Sequence, residues 1–328
     1  MQLDKIVLKH GKSVLKSRQT ASIHVEANGQ ILASPVVLSN MPCCQNKSIL
    51  NAFNEEQWPY VYHRLWGYDD VRQFMRDAYN SNFFLKSISI GVQPDDLNFL
   101  KSLKEEELFP DWLTIDVALI YNKHYEDYIK TVRELFPDTY LIAGNFTNSE
   151  AIEWLKDLGV NCGKFGIGVS KLCRTREYTG FGTTLQNLMD CSIEKRRLDF
   201  DIMVDGGLTV LDPNNGEIAI GDVLKLINFG AKWVMSSALF RYVTELSGHT
   251  GQIVQYGNST SLAKGHVRNI EGTVVTHSTH GRNIHEQMNL IKESLQSGVS
   301  YSGFSSIEQI QKYKNGQAQP ISWSYIDC

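Results

Sequence analysis

The chain has 328 residues, 42% of them hydrophobic and 21% charged, with 32 Lys+Arg against 36 Asp+Glu for a formal net charge of −4. The apolar share supplies a large core and excludes disorder, and the mild acidity excludes broad nucleic-acid binding, which needs a basic face to displace counterions from phosphates. No run approaches the ~18 consecutive apolar residues of a membrane helix, and residues 1–16 carry Lys5, Lys9, Lys12 and Lys16 instead of an apolar signal segment; a cytoplasmic protein with neither nucleic-acid nor membrane partner is expected.

Short, continuously apolar and β-branched runs occur at 35–41, 59–64, 85–92, 112–119, 140–146, 162–168, 200–207 and 233–240. Such runs fit strands buried on both faces. Segments of helical periodicity lie between them, at 68–79, 96–105, 125–136, 149–158 and 221–229. Strand and helix alternating through eight strands predict a (β/α)8 TIM barrel, because parallel strands need helical crossovers. A doubly wound sheet is the structural alternative, but no glycine-rich dinucleotide turn follows the first strand. The expected organisation is a single domain, with the barrel over about 35–245 and a flap and C-terminal segment over about 246–328.

In a barrel the chemistry sits after the strands, so the residues closing the runs are the first candidates: Asn40, His63, Gly91, Asp116, Asn145, Gly168, Asp205 and Ser236. The most informative loop is KFGIGVSKLCRTREYTGFG at 164–182. Gly166 and Gly168 let the backbone approach an anion, and Cys173 lies where a nucleophile would meet substrate. The other reading, a structural glycine turn with an incidental thiol, weighs equally on spacing alone.

That loop resembles the signature of the IMP dehydrogenase and GMP reductase family, K-V-G-I-G-P-G-x-x-C-x-T followed by T-G-x-G, matched by Lys164, Gly166, Ile167, Gly168, Cys173, Thr175, Thr179, Gly180 and Gly182. PVVLSNM, His63-Arg64, IDVALIYNKH, AGNFT, VDGG, YGNSTS and RNIEG also have counterparts in the same order, over about residues 13–310. Together the ordered motifs are specific for the family, although each alone is weak.

The resemblance implies NADPH-dependent reductive deamination of GMP to IMP and ammonia by a homotetramer, with NADH as the alternative cofactor. It implies that Cys173 adds to purine C2 and that Thr175 and Glu271 handle the proton of the departing amine. It places Asp205, Gly206, Gly207, Gly168, Ser170, Ser237, Ser259 and Asn145 around the nucleotide, and Asp116, Arg176 and Thr179 near the cofactor. Gly166, Gly168 and Cys173 are candidates for a monovalent cation, K+; no other metal site is expected. Two alternatives stay open: oxidation of the dehydrogenase type or reduction of a modified purine nucleotide, and a catalytically silent nucleotide-binding barrel. The length leaves no room for the regulatory domain often inserted in the dehydrogenase.

Departures from the family cluster at ligand contacts. Val169 and Ser170 replace a proline and a glycine, Leu119-Ile120 replaces asparagine-glycine, and Ser237-Ala238 replaces the glycine-serine or glycine-glycine after the eighth strand. An extra segment at 208–220, with the turn signal Asp-Pro-Asn-Asn-Gly at 212–216, predicts a β-hairpin after the seventh strand. None of the six cysteines forms a CxxC pair, and the adjacent Cys43 and Cys44 are expected as buried, reduced thiols.

Overall fold

The computed structural model describes residues 2–169, 173–212, 217–247, 252–257, 260–261, 272–313 and 319–326. In chain order its strands are β1 (Ile6–Leu8), β2 (Val25–Ala27), β3 (Gln30–Leu32), β4 (Val36–Leu38), β5 (Ser87–Ile90), β6 (Trp112–Asp116), β7 (Tyr140–Phe146), β8 (Cys162–Phe165), β9 (Asp201–Asp205), β10 (Val210–Asp212), β11 (Glu217–Ile218), β12 (Trp233–Ser236), β13 (Gln252–Tyr256), β14 (Val274–Ser278) and β15 (Trp323–Tyr325). The helices on which the fold turns are α1 (Lys47–Glu55), α2 (Tyr68–Asn80), α3 (Pro94–Glu105), α4 (Glu126–Leu135), α5 (Glu150–Asp157), α6 (Thr175–Thr179), α7 (Leu185–Leu198) and α8 (Gly221–Asn228).

Seven strands pair in parallel in the order β4-β12-β9-β8-β7-β6-β5. Nearly every residue of these strands is buried, as expected of strands covered on both faces. The sheet curls strongly: Trp112 and Trp233 open strands separated by three others, yet their ring centroids lie 5.1 Å apart. Each fully buried large apolar side chain contributes about 1.5–3 kcal/mol, so these aromatics anchor the curl. Helix ends are defined locally. Asn46 accepts the Ile49 N–H ahead of α1, and capping boxes open α3 (Gln93, Asp96) and α7 (Thr184, Asn187).

The expected second strand differs from the other runs. Residues 59–62 join the two edge strands only through bridges, Leu38 to Tyr60 and Tyr62 to Ile88. Pro59 has no N–H to give, and Gln45 takes two of the segment's backbone groups: its Nε2 donates to the Val61 carbonyl at 2.7 Å and its Oε1 accepts the His63 N–H at 3.3 Å. Backbone bonds still tie both sides, from Val61 N–H to the Leu38 carbonyl (3.2 Å) and from Tyr62 N–H to the Ser87 carbonyl (2.9 Å).

Antiparallel accessories complete the fold. The β2–β3 hairpin turns at Asn28-Gly29, both with positive φ (51° and 78°), a pair suited to a tight primed turn. β1 pairs with β15, bringing the two ends of the chain together. β10 pairs with β11, and the tip of that predicted hairpin lies outside the described residues. β13 and β14 pair in the expected flap region, followed by a helix at Ile284–Ser302. No helix of the described residues is long and apolar enough to cross a membrane.

Candidate active site

The polar centre gathers at the carboxyl ends of the parallel strands. β8 is buried at every position, so the side chain of Lys164 cannot reach bulk water and must find its counter-charge inside. Its Nζ lies 2.8 Å from Asp116 Oδ1 at the end of β6 and 2.6 Å from Asp205 Oδ2 at the end of β9, and donates to Asn145 Oδ1 in β7 at 3.0 Å. Asn145 Nδ2 donates to the Gly166 carbonyl (2.6 Å) and to Asp205 Oδ2 (3.2 Å). Asn40 Nδ2 donates to Asp116 Oδ2 at 2.9 Å, and Arg64 donates to the Asp116 carbonyl at 3.3 Å. Six elements thus meet around one ammonium.

Charge balance fixes the protonation states. Burial pushes the Asp116 carboxyl up, but the charge and hydrogen bond of Lys164, helped by Arg64 and Asn40, outweigh it and hold the group below the usual carboxylate range. Burial pulls Lys164 down, and the two carboxylates overcompensate and hold it well above the usual lysine range. Both are ionised at neutral pH. Both bonds to Asp205 land on Oδ2, which leaves its Oδ1 available to a ligand hydroxyl among the described residues. The close approach of β7 and β8 depends on Gly144, where a Cβ would sit 2.3 Å from Lys164 Cβ.

The loop after β8 carries the thiol. Gly166 (φ 135°) and Gly168 (φ 65°) take backbone conformations that favour glycine. Ile167 between them is pinned by Thr183, whose Oγ1 accepts the Ile167 N–H at 2.7 Å and whose N–H donates to the Ile167 carbonyl at 3.0 Å. Cys173 is half-buried, bridges antiparallel to Gly272 of the flap, and lies with Sγ 3.2 Å from Thr175 Oγ1. Thr175 opens α6, and Thr179 closes it by donating Oγ1 to the Thr175 carbonyl at 2.7 Å. Arg176 is exposed, packs its side chain along Gly182, and makes no ion pair among the described residues.

Those of the other expected positions that are described fall on the same end of the sheet. Gly206 and Gly207 follow Asp205 with φ of 80° and 85°, and the Gly206 N–H donates to the Met235 carbonyl at 2.9 Å. Ser237 follows β12, half-buried. Ser170, Ser259 and Glu271 lie outside the described residues. Leu119 is 52% exposed, whereas Ile120 is buried and donates its N–H to the Asn145 carbonyl. Cys43 and Cys44 are both free thiols, but only Cys44 is buried; Cys43 is half-buried, and its Sγ donates to the Tyr256 carbonyl at 3.3 Å. The Cys44 hydrogen bond holds the Cys43 thiol below its usual range, and the same contact with burial pushes Cys44 up.

Sequence reasoning assigned no role to Lys164, the hub of the centre. The signal was present: a lysine inside an otherwise uncharged buried run, CGKF, is costly unless carboxylates meet it.

A curled parallel α/β sheet with charged and amide side chains gathered at its carboxyl ends, and a half-buried thiol on the following loop, defines a TIM-barrel-like protein. The chain belongs to the IMP dehydrogenase / GMP reductase family, whose domain model matches residues 69–322. It is 32% identical over 318 residues to a GMP reductase of Lactobacillus delbrueckii subsp. bulgaricus, covering 94% of this chain and 92% of the relative. It is 28% identical over 314 residues to a GMP reductase of Staphylococcus aureus, covering 93% and 92%.

Proposed function

We propose that the chain is a reductive deaminase converting GMP to IMP and ammonia, built as one domain on a closed (β/α)8 barrel with the 208–220 hairpin on its catalytic face. The observation that carries this reading is the pair Cys173 and Thr175, 3.2 Å apart on the loop that leaves β8. As thiolate, Cys173 adds to C2 of guanine and forms a C–S bond. Thr175, with Glu271, passes a proton to the amine as the C2–N bond breaks and ammonia leaves. Hydride arriving at C2 then breaks the C–S bond and returns the thiolate, giving IMP.

A nicotinamide cofactor, when bound, supplies that hydride. The residues present fit it: Leu119 (52% exposed), three positions after Asp116, offers apolar surface for a flat ring, and Arg176, free of ion pairs among the described residues, suits the 2′-phosphate that distinguishes NADPH from NADH. Asp205 Oδ1 takes a ribose hydroxyl, with Gly206 and Gly207 giving the sugar room. K+ at Gly166, Gly168 and Cys173 belongs to this proposal as well: the Gly166 carbonyl accepts Asn145 Nδ2 at 2.6 Å and keeps a second lone pair for a cation. The cytoplasmic location and homotetramer implied by the family resemblance belong to this proposal.

The test is Cys173→Ala. GMP-dependent NADPH oxidation, followed by absorbance, is expected to fall at least about 1,000-fold with an unchanged far-ultraviolet circular dichroism spectrum. Retained oxidation in this variant overturns the mechanism.

A further inference from the structure

We propose that Cys43 and Cys44 form a reversible oxidation site: a hydroperoxide oxidises Cys43 to a sulfenic acid, Cys44 condenses with it to a vicinal disulfide, and the β13–β14 flap loses an anchor. The site stands on the adjacency and the contacts of two sulfurs, and does not depend on the function proposed above.

Of the five free thiols among the described residues, Cys44, Cys162 and Cys191 are buried, and only Cys43 and Cys173 are half-buried. Of those two, only Cys43 has a second thiol beside it: the pair lies in a 3-10 turn, Pro42–Cys44, directly after β4. The Cys44 hydrogen bond outweighs burial and holds the Cys43 thiol below its usual range, while that contact and burial push Cys44 up. Burial pushes Cys162 and Cys191 up as well. One member of the pair thus favours the nucleophilic thiolate, and the other stays protonated as the resolving thiol.

The Cys43 thiolate attacks the peroxide, forming an S–O bond as the O–O bond breaks, and the departing hydroxide or alkoxide takes up a proton. Cys44 sulfur then attacks the sulfenic sulfur: the S–S bond forms, the S–O bond breaks, and the thiol proton leaves with hydroxide as water. Two thiols have given two electrons to one peroxide. Adjacent Cα atoms stand about 3.8 Å apart, short of the roughly 4.4–6.8 Å of a relaxed disulfide, so the closed ring is strained and two equivalents of a small thiol reopen it.

The contacts of Cys43 give this chemistry a structural consequence. Its Sγ donates to the Tyr256 carbonyl at 3.3 Å, at the end of β13. Tyr256 pairs with Val274, the next N–H, of Gly257, donates to the Thr273 carbonyl at 3.3 Å, and Gly272 bridges to Cys173. Cys43 therefore holds the end of the flap that meets the thiol loop. A disulfide sulfur has no hydrogen to donate, so oxidation withdraws this anchor, together with the Cys44 S–H that faces the Met41 and Ser39 carbonyls at 3.1 and 3.5 Å.

The test uses the full chain carrying Cys173→Ala, which removes the other half-buried thiol of the described residues. It is treated with hydrogen peroxide, alkylated in urea, digested and weighed. The peptide carrying Cys43 and Cys44 is expected to escape alkylation and to be about 2 Da lighter than its reduced form, and glutathione given before alkylation is expected to restore both thiols. With Cys44→Ala added, Cys43 is expected to stop at the sulfenic acid and be trapped by dimedone; with Cys43→Ser added, Cys44 is expected to remain fully alkylated. Hydrogen exchange at the β13 amides is expected to quicken roughly fivefold on oxidation, the worth of one hydrogen bond, and to be unmoved by peroxide in the Cys43→Ser chain. Both sulfurs alkylated after peroxide, or Cys43 carried to the sulfinic acid with Cys44 left as a thiol, overturns the site. A disulfide that leaves β13 exchange unchanged overturns its hold on the flap.

Discussion

Replacing Lys164 by Met removes the ammonium from between Asp116 Oδ1 at 2.8 Å and Asp205 Oδ2 at 2.6 Å, while a side chain of similar length keeps the volume filled. Removing one partner of a buried ion pair costs about 3–5 kcal/mol, because the other charge is left without compensation. Here two carboxylates are stranded, but Asp205 is 25% exposed and can recruit water, so the middle of that range is expected. Against a typical total of about 5–15 kcal/mol the loss is large. Urea unfolding followed by circular dichroism reads it at pH 7. The pH dependence is equally specific. In the wild type the depressed Asp116 contributes stability that is present above the unfolded carboxyl value of about 3.9 and lost as pH falls through its lower folded value. The raised Lys164 contributes stability that is fully present below about 10.4 and lost as pH rises through its higher folded value. Without Lys164, burial dominates Asp116 and raises its carboxyl, so relative to the wild type the variant gains stability as pH falls from 7 toward 5. Adding Asp116→Asn removes the stranded charge and is expected to restore about half of the loss. A Lys164→Met penalty below about 1 kcal/mol, the range of an exposed pair, refutes the reasoning, as does a double variant no more stable than the single one.

Four further outcomes follow from the same physics. His63 is fully buried with neither ring nitrogen partnered, and burial lowers it to about 4; the unfolded chain then binds a proton that the folded chain refuses, so stability falls about 2 kcal/mol between pH 7 and 5. His63→Phe is expected to flatten that segment of the pH–stability curve, and an unchanged slope refutes the assignment. Gly144→Ala drives a methyl into Lys164 and is expected to cost about 1–3 kcal/mol as overpacking, read by thermal unfolding. Thr175→Val keeps the shape but deletes the hydroxyl 3.2 Å from Cys173 Sγ, and is expected to lower kcat about 100-fold with nucleotide affinity preserved; unchanged kcat removes Thr175 from proton transfer. Sedimentation is expected to show a species of four times the 37.1 kDa chain mass, and a monomer at micromolar concentration refutes the tetramer.

The apolar runs were legible because a strand covered on both faces admits almost nothing polar. Residues 140–146 became β7 without adjustment, and the helices at 68–79 and 221–229 were placed to within a residue at each end. Local chemistry by itself also determined the caps and the glycine conformations at 166 and 168, since each depends on neighbours within a few positions, whereas the thiol loop is held by Thr183 and Gly272, far along the chain. The sequence did not show that 59–62 would bridge strands without a full ladder, because the competitor for its backbone is Gln45, fourteen or more residues earlier and oriented only by the fold. Nor did it show that Asp116, Asn145, Lys164 and Asp205, spread over 90 residues, would share one proton-bonded cluster. Strand order and curl decided that, by bringing the ends of four strands within hydrogen-bond reach. Gln255 is a further case: in sequence it is an ordinary glutamine, and only complete burial with neither side-chain atom partnered marks it. Pattern along the chain specified which elements form, and tertiary packing decided which charges meet, because Coulomb and hydrogen-bond energies depend on distances that no local pattern encodes.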